Sequence, residues 1–203
     1  MDFTDYSQWE TLENCRPPIH IENRGAHFNG INTSAILNPF NLDASFSIKL
    51  WVRLSVTDTS LISFNQMFVD KTGLHTAYEA SCSVHQDEYL EEQIFDMWLS
   101  PCFSFVLDIG DFRVKTDEGS YSKDKWAEIM LSSEPINQSG HHLIQTKYRF
   151  LINGHSHGSG VLDDMMLYET IFNQIHLGSY MSKAYFTEGL MYSFTYYNGL
   201  TPY

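Results

Sequence analysis

The stretch "FSIKLWVRL" constrains this chain more than any other. Phe46, Ile48, Leu50, Val52 and Leu54 alternate with Ser47, Lys49, Trp51 and Arg53. Successive residues of an extended chain point to opposite faces, so this alternation specifies a strand with one face in a core. A helix would scatter the same apolar residues around its circumference. Trp51 then stands as the aromatic on the second face.

The same texture recurs along the chain. "SLISFNQMFVD" reads as a strand, "CFSFVLDIGD" as another, and "FRVKTD" as its hairpin partner across Gly110-Asp111. "KWAEIMLSS" follows, and "KYRFLINGHSHGSGVL" is a hairpin turning at Asn153-Gly154. Asn-Gly is a strong two-residue turn signal because both positions must take positive φ. "QIHLGSY" and "GLMYSFTYYN" complete the set, the last with Met191, Phe194 and Tyr196 as core residues between Gly189 and Asn198-Gly199. Short strands with no long helical pattern predict an antiparallel sandwich. Two segments stay open. "DYSQWETLENC" suits a helical turn or an N-terminal strand, and "DEYLEEQIFDMWL" a short helix or a hairpin excursion. With 203 residues and neither repeat nor linker, one large β domain is expected.

Charge narrows the partners. Twenty-five acidic against 12 basic residues give a net charge of -13. That field repels phosphate backbones and anionic lipid, and no basic cluster relieves it, so neither nucleic acid nor direct membrane insertion is expected. No apolar run approaches the roughly 18 residues of a membrane helix. "MDFTDYSQWETLENC" has no basic start or apolar centre, so it is not read as a signal peptide. The chain is then intracellular, or one domain of a longer secreted polypeptide. Cys82 and Cys102 could close a disulfide, leaving Cys15 unpaired; the alternative is three reduced, buried thiols. Asn32 in "NTS" and Asn137 in "NQS" match the glycosylation pattern.

The order of these elements resembles the concanavalin A-like lectin/glucanase sandwiches, and within them the laminin G-like and pentraxin-like domains. "AHFNGINTSAIL" resembles their first core strand, and "FSIKLWVRL" their Phe-Ser/Thr-Ile-x-x-Trp-Val strand. "DKWAEIMLS" matches through Trp126 and Ile129, and "YRFLINGHSHGSG" through Leu151, Ile152, Asn153 and Gly154. "IHLGSY" and "FTEGLMYSFTYYNGL" supply the closing steps in family order. The resemblance implies an all-β, antiparallel two-sheet jelly-roll sandwich over residues 26–203. Residues 1–25 would be an extension packed on it, with an insertion around 82–102, where the match is poorest.

Chemistry has to be argued separately, since the fold carries enzymes and lectins alike. Hydrolases of this fold place carboxylates at alternate positions of one strand, as a retaining pair requires. Here Asp87, Glu88, Glu91 and Glu92 fall at helical spacing, and the adjacent Asp163 and Asp164 would point oppositely in a strand. No enzyme activity is expected. Nor is there a Gly-x-Ser-x-Gly elbow or a recognisable catalytic cysteine. The loop after Leu177-Gly178, acidic in calcium-binding relatives, is "SYMSKAY" with Lys183 and no acid. No cofactor is expected; calcium would have to use scattered acids such as Asp70 or Asp108. His155 and His157, two apart beyond the hairpin turn, would need a third ligand to hold zinc. Loops on a rigid sandwich carry function, so Tyr78, Tyr121 and Tyr180, with those two histidines, are the ligand-binding candidates.

The expectation is a non-catalytic module that recognises a glycan or a protein surface within a cell-surface or secreted polypeptide. The alternative is an intracellular structural subunit that uses the sandwich for assembly, and a glycoside hydrolase stands third.

Overall fold

The alternation in "FSIKLWVRL" is realised directly. Phe46, Ile48, Leu50, Val52 and Leu54 are buried, while Trp51 faces solvent. The computed structural model describes residues 20–22, 25–37, 45–66, 68–69, 75–76, 95–109, 112–136, 145–162, 172–179 and 185–199. Among them there is no helix, and none therefore long and apolar enough to cross a membrane.

Strands numbered in chain order form two antiparallel sheets. A seven-stranded sheet runs β1 (His20–Glu22), β2 (Gly25–Asn29), β15 (Glu188–Asn198), β4 (Phe46–Leu54), β11 (Trp126–Pro135), β12 (Thr146–Ile152) and β13 (His155–Leu162). A six-stranded sheet runs β10 (Phe112–Lys115), β9 (Phe105–Ile109), β8 (Phe95–Leu99), β5 (Thr59–Gln66), β14 (Phe172–Leu177) and β3 (Ala35–Leu37). A small ribbon pairs β6 (Phe68–Val69) with β7 (His75–Thr76). The inner faces of the two large sheets enclose one hydrophobic core. At its centre Phe95 packs edge-on to Phe64 at 4.6 Å between centroids and lies 6.5 Å from Phe46 of the other sheet. This is the all-β two-sheet sandwich expected from the sequence.

The turn chemistry also follows the sequence. Asn153 and Gly154 have φ of 51° and 80°, the two positive values that a tight hairpin demands. Gly189 lies so close to β4 that a Cβ there would strike the Arg53 carbonyl oxygen, so only glycine lets β15 enter the sheet. Met191 and Phe194 are buried and Tyr196 packs against the core.

One segment departs from the sequence reading. Residues 95–99, within the stretch taken as an insertion, are the framework strand β8, paired with both β5 and β9. Phe95, Met97 and Leu99 are fully buried, so the alternation here reports a half-buried strand. The helical spacing of the acids just before it does not carry into it.

Candidate functional site

The polar positions of β8 build the principal site. With Phe95, Met97 and Leu99 turned to the core, Asp96 and Trp98 point out of the six-stranded sheet. On β9 the same alternation buries Leu107 and turns Asp108 outward. One rung across four strands then reads Ser63, Asp96, Asp108 and Arg113. The next places Ser60 opposite Trp98.

Two carboxylates facing each other across a ladder repel. The structure resolves this in two ways. Asp108 is gripped by Arg113, whose Nε and a terminal nitrogen donate to its two oxygens at 2.6 and 2.9 Å. The Trp98 indole N–H also donates to Asp108, at 2.9 Å, and the Arg113 guanidinium carbon lies 5.8 Å from the Trp98 ring centroid. Charge-assisted bidentate bonding and the cation–π contact thus fix Trp98, Asp108 and Arg113 as one unit. Asp96 has no cation beside it among the described residues. Its Oδ1 accepts the Ser60 hydroxyl at 2.6 Å, and its other oxygen takes no hydrogen bond from the described residues. Burial pushes its carboxyl up to about 7; the Ser60 bond opposes that shift and the neighbouring Asp108 adds to it.

These groups open into a cleft of about 210 Å³ lined by Asp58, Thr59, Ser60, Asp96, Trp98, Asp108 and Tyr185. That is below the roughly 300–1,000 Å³ of pockets for drug-sized ligands, so the cleft suits something smaller. Its rim is strained. Asp58 and Tyr185 have φ of 56° and 50°, a left-handed conformation that a bulky tyrosine seldom adopts. The Tyr185 backbone is held in place because its carbonyl accepts Ser60 N–H at 2.9 Å. Thr187 reinforces this, donating to the Ser60 carbonyl at 2.8 Å and accepting from Thr59 at 2.9 Å. Tyr185 itself is 55% exposed. Such strain, held by surrounding hydrogen bonds, is a mark of functional sites.

The residues singled out in the sequence fare unevenly. Asp108, the calcium candidate, is in the cleft, but Arg113 and Trp98 occupy both its oxygens, so it serves an ion pair instead of a cation site. Tyr121 is corrected: it is 3% exposed, and its hydroxyl accepts Leu54 N–H at 2.7 Å and donates to the Lys125 carbonyl at 2.8 Å. It anchors a loop to the core and presents nothing to a ligand. His155 is exposed and His157 half-buried on β13, away from the cleft. Among the described residues no group of three His, Cys, Asp or Glu side chains is placed to hold a metal. Cys102 is an exposed free thiol. Asn32 is exposed in the turn after β2, its side-chain oxygen accepting from Asn29 at 2.9 Å. Asp70, Tyr78, Cys82, Asn137 and Tyr180 lie outside the described residues.

Sequence reasoning passed over Asp96, Trp98 and Tyr185. The available signal was parity, since Asp96 and Asp108 each take the outward position of neighbouring strands.

No family model and no curated protein matches the sequence. Solved structures do match in shape. The carbohydrate recognition domain of Emp46p has a TM-score of 0.59 at 11% identity, covering 99% of this chain and 96% of that one. The corresponding domain of Emp47p gives 0.53 at 10%, covering 98% and 94%. The alginate lyase Aly36B gives 0.50 at 8%, covering 94% of each chain. At these identities the likeness is one of fold alone: an all-β, two-sheet jelly-roll sandwich.

Proposed function

We propose that this chain is a non-catalytic glycan-recognition module, one sandwich over residues 26–203, that seats a sugar in the cleft around Asp96. The observation that carries the reading is the pairing of a carboxylate oxygen on Asp96, which takes no hydrogen bond from the described residues, with the aromatic side chains of Trp98 and Tyr185 in one cleft. A sugar presents hydroxyls at its edge and C–H groups on its face, and that combination meets both needs. The likeness to two carbohydrate recognition domains supports the reading. Cleft charge favours neutral sugars over uronates, since among the described residues no cation pairs with Asp58 or Asp96 and Arg113 is already bound to Asp108. The domain would serve a cell-surface or secretory polypeptide. A glycan array probed with the wild type, Asp96→Ala and Tyr185→Ala tests this. Binding to neutral glycans should be lost in the Asp96 variant and weakened in the Tyr185 variant, with both folded by circular dichroism. Undiminished binding by Asp96→Ala would remove the cleft from the reading.

One observation favours a hydrolase as second reading: Asp96, pushed up to about 7, faces a second carboxyl group, Asp108, across a ladder, and glycoside hydrolysis runs on two carboxyl groups, one of them a raised acid. Against it, Asp108 is bonded at both oxygens and is a poor nucleophile or base. Release of reducing ends from a β-glucan panel, abolished by Asp96→Asn, would establish this second reading over the first.

A further inference from the structure

The outer face of the seven-stranded sheet carries a second constellation, independent of the cleft. Trp51 stands at its centre, with Glu128 of β11 and Ser193 of β15 directly opposite it on either side. The ladder slips here. Met191 pairs with Val52 and Ser193 with Trp51, so Tyr192 is an extra residue, bulged out of the middle of the sheet. Bulges of this kind re-aim a side chain, and they are enriched beside functional sites. Tyr192 is braced edge-on by Trp126, with ring centroids 6.4 Å apart, and Arg53 lies 6.0 Å over the Trp126 ring. Beside Trp51, Lys49 Nζ meets Glu128 Oε2 at 2.9 Å. Lys49, Trp51, Glu128, Tyr192 and Ser193 enclose a groove of about 360 Å³, within the range of small-ligand sites.

We propose that this groove is a second glycan site, for a neutral hexopyranoside stacked on Trp51. The groove's own charges decide the ligand class. Lys49 and Glu128 cancel, so neither an anion nor a cation gains, while a donor and an acceptor stand side by side. A sugar hydroxyl both donates and accepts, and adjacent hydroxyls can bridge that pair. Trp51 and Tyr192 are 37% and 38% exposed, so each offers part of a ring to a flat ligand. A protein partner fits less well, because interface cores are depleted in charge and lysine in particular. The two sites lie on opposite sheets, about 10 Å apart in backbone alone, so each would take its own sugar chain and the module would be bivalent.

Fluorine NMR of protein labelled with 5-fluorotryptophan tests this, with the Trp51 resonance assigned from Trp51→Phe. The probes are mannohexaose, cellohexaose and xylohexaose, titrated to about 10 mM, above the millimolar range of weak sites. The Trp51 resonance should move saturably with at least one probe, and should still do so in Asp96→Ala, which disables the cleft. Tyr192→Ser should weaken that titration by about tenfold, the equivalent of one aromatic contact. Cleft failure alone would thus show as loss at Trp98 with Trp51 retained. A Trp51 resonance unmoved by all three probes, or moved only when the cleft is intact, overturns the proposal. So does sedimentation showing that Trp51 is covered by a second copy of the chain.

Discussion

Asp96→Asn should stabilise the protein by an amount that grows with pH. The ordinary value for this carboxyl is 3.8, and in the fold it stands at about 7. Between those values the folded chain keeps a proton that the unfolded chain has released. Stability therefore falls as pH rises from about 3.8, and the loss is complete once pH passes about 7. The gap, at about 1.36 kcal/mol per unit, caps the loss at roughly 4 kcal/mol. Water reaches Asp96 through the open cleft and reduces this to about 1–2 kcal/mol. Asparagine keeps the shape, accepts the Ser60 hydroxyl through the same oxygen, and never ionises. Thermal unfolding followed by near-ultraviolet circular dichroism reads the result. The two proteins should melt close together at pH 4, and the variant about 2–8 °C higher at pH 8, from about 2–4 °C per kcal/mol in a chain of this size. A difference in melting temperature that does not change between pH 4 and pH 8 would refute the reasoning, because Asp96 would then be as hydrated in the fold as out of it.

Other expectations follow from the same contacts. If sugar hydroxyls donate to the Asp96 carboxylate, affinity should be about tenfold weaker at pH 6 than at pH 8, as the competent fraction falls, and calorimetry should find Asp96→Asn flat over that range. Arg113→Ala should cost about 0.5–1 kcal/mol in urea unfolding, since the pair is partly exposed, and should drive the Asp96 titration higher in carbon-detected NMR because Asp108 is no longer neutralised. Tyr121→Phe should cost about 1–3 kcal/mol by the same assay, for it leaves the Leu54 N–H and the Lys125 carbonyl without their partner.

The framework was legible because its signals are local. Alternation in β4 and the Asn153-Gly154 turn each need only neighbouring residues to be read, and both are realised. The cleft was not legible because it is assembled across strands. The search for catalytic carboxylates asked for acids on one strand, whereas Asp96 and Asp108 meet from two, in a register set by the turn at 100–104. The helical spacing of the preceding acids also masked the parity of "FDMWL". Tyr121 failed for a related reason: residence in a loop was taken as exposure, but its ring packs against Phe105 at 5.5 Å and its hydroxyl satisfies backbone groups. Tyr185 carried no signal, since nothing in "SKAYFTEG" announces a positive φ at a tyrosine.

Both candidate sites also lie where alternation breaks. In β5 the ladder pairs Ser60 with Trp98 and Ile62 with Met97, so one extra residue lets Ser60 face the cleft while Leu61 and Ile62 are both buried. In β15 the slip between Met191 and Ser193 keeps Met191 and Phe194 in the core while Tyr192 faces out. Strict parity would have forced a choice between core and surface at each place. Two other slips, at Phe150/Leu151 and Phe172/Gln174, border neither site, so a bulge alone does not define one. What distinguishes the first two is what the extra residue permits: a hydroxyl delivered to a carboxyl in a cleft, and an aromatic ring set beside another over an ion pair. The scaffold is fixed by residues that obey the period of two, and both proposed sites sit where one added residue suspends it.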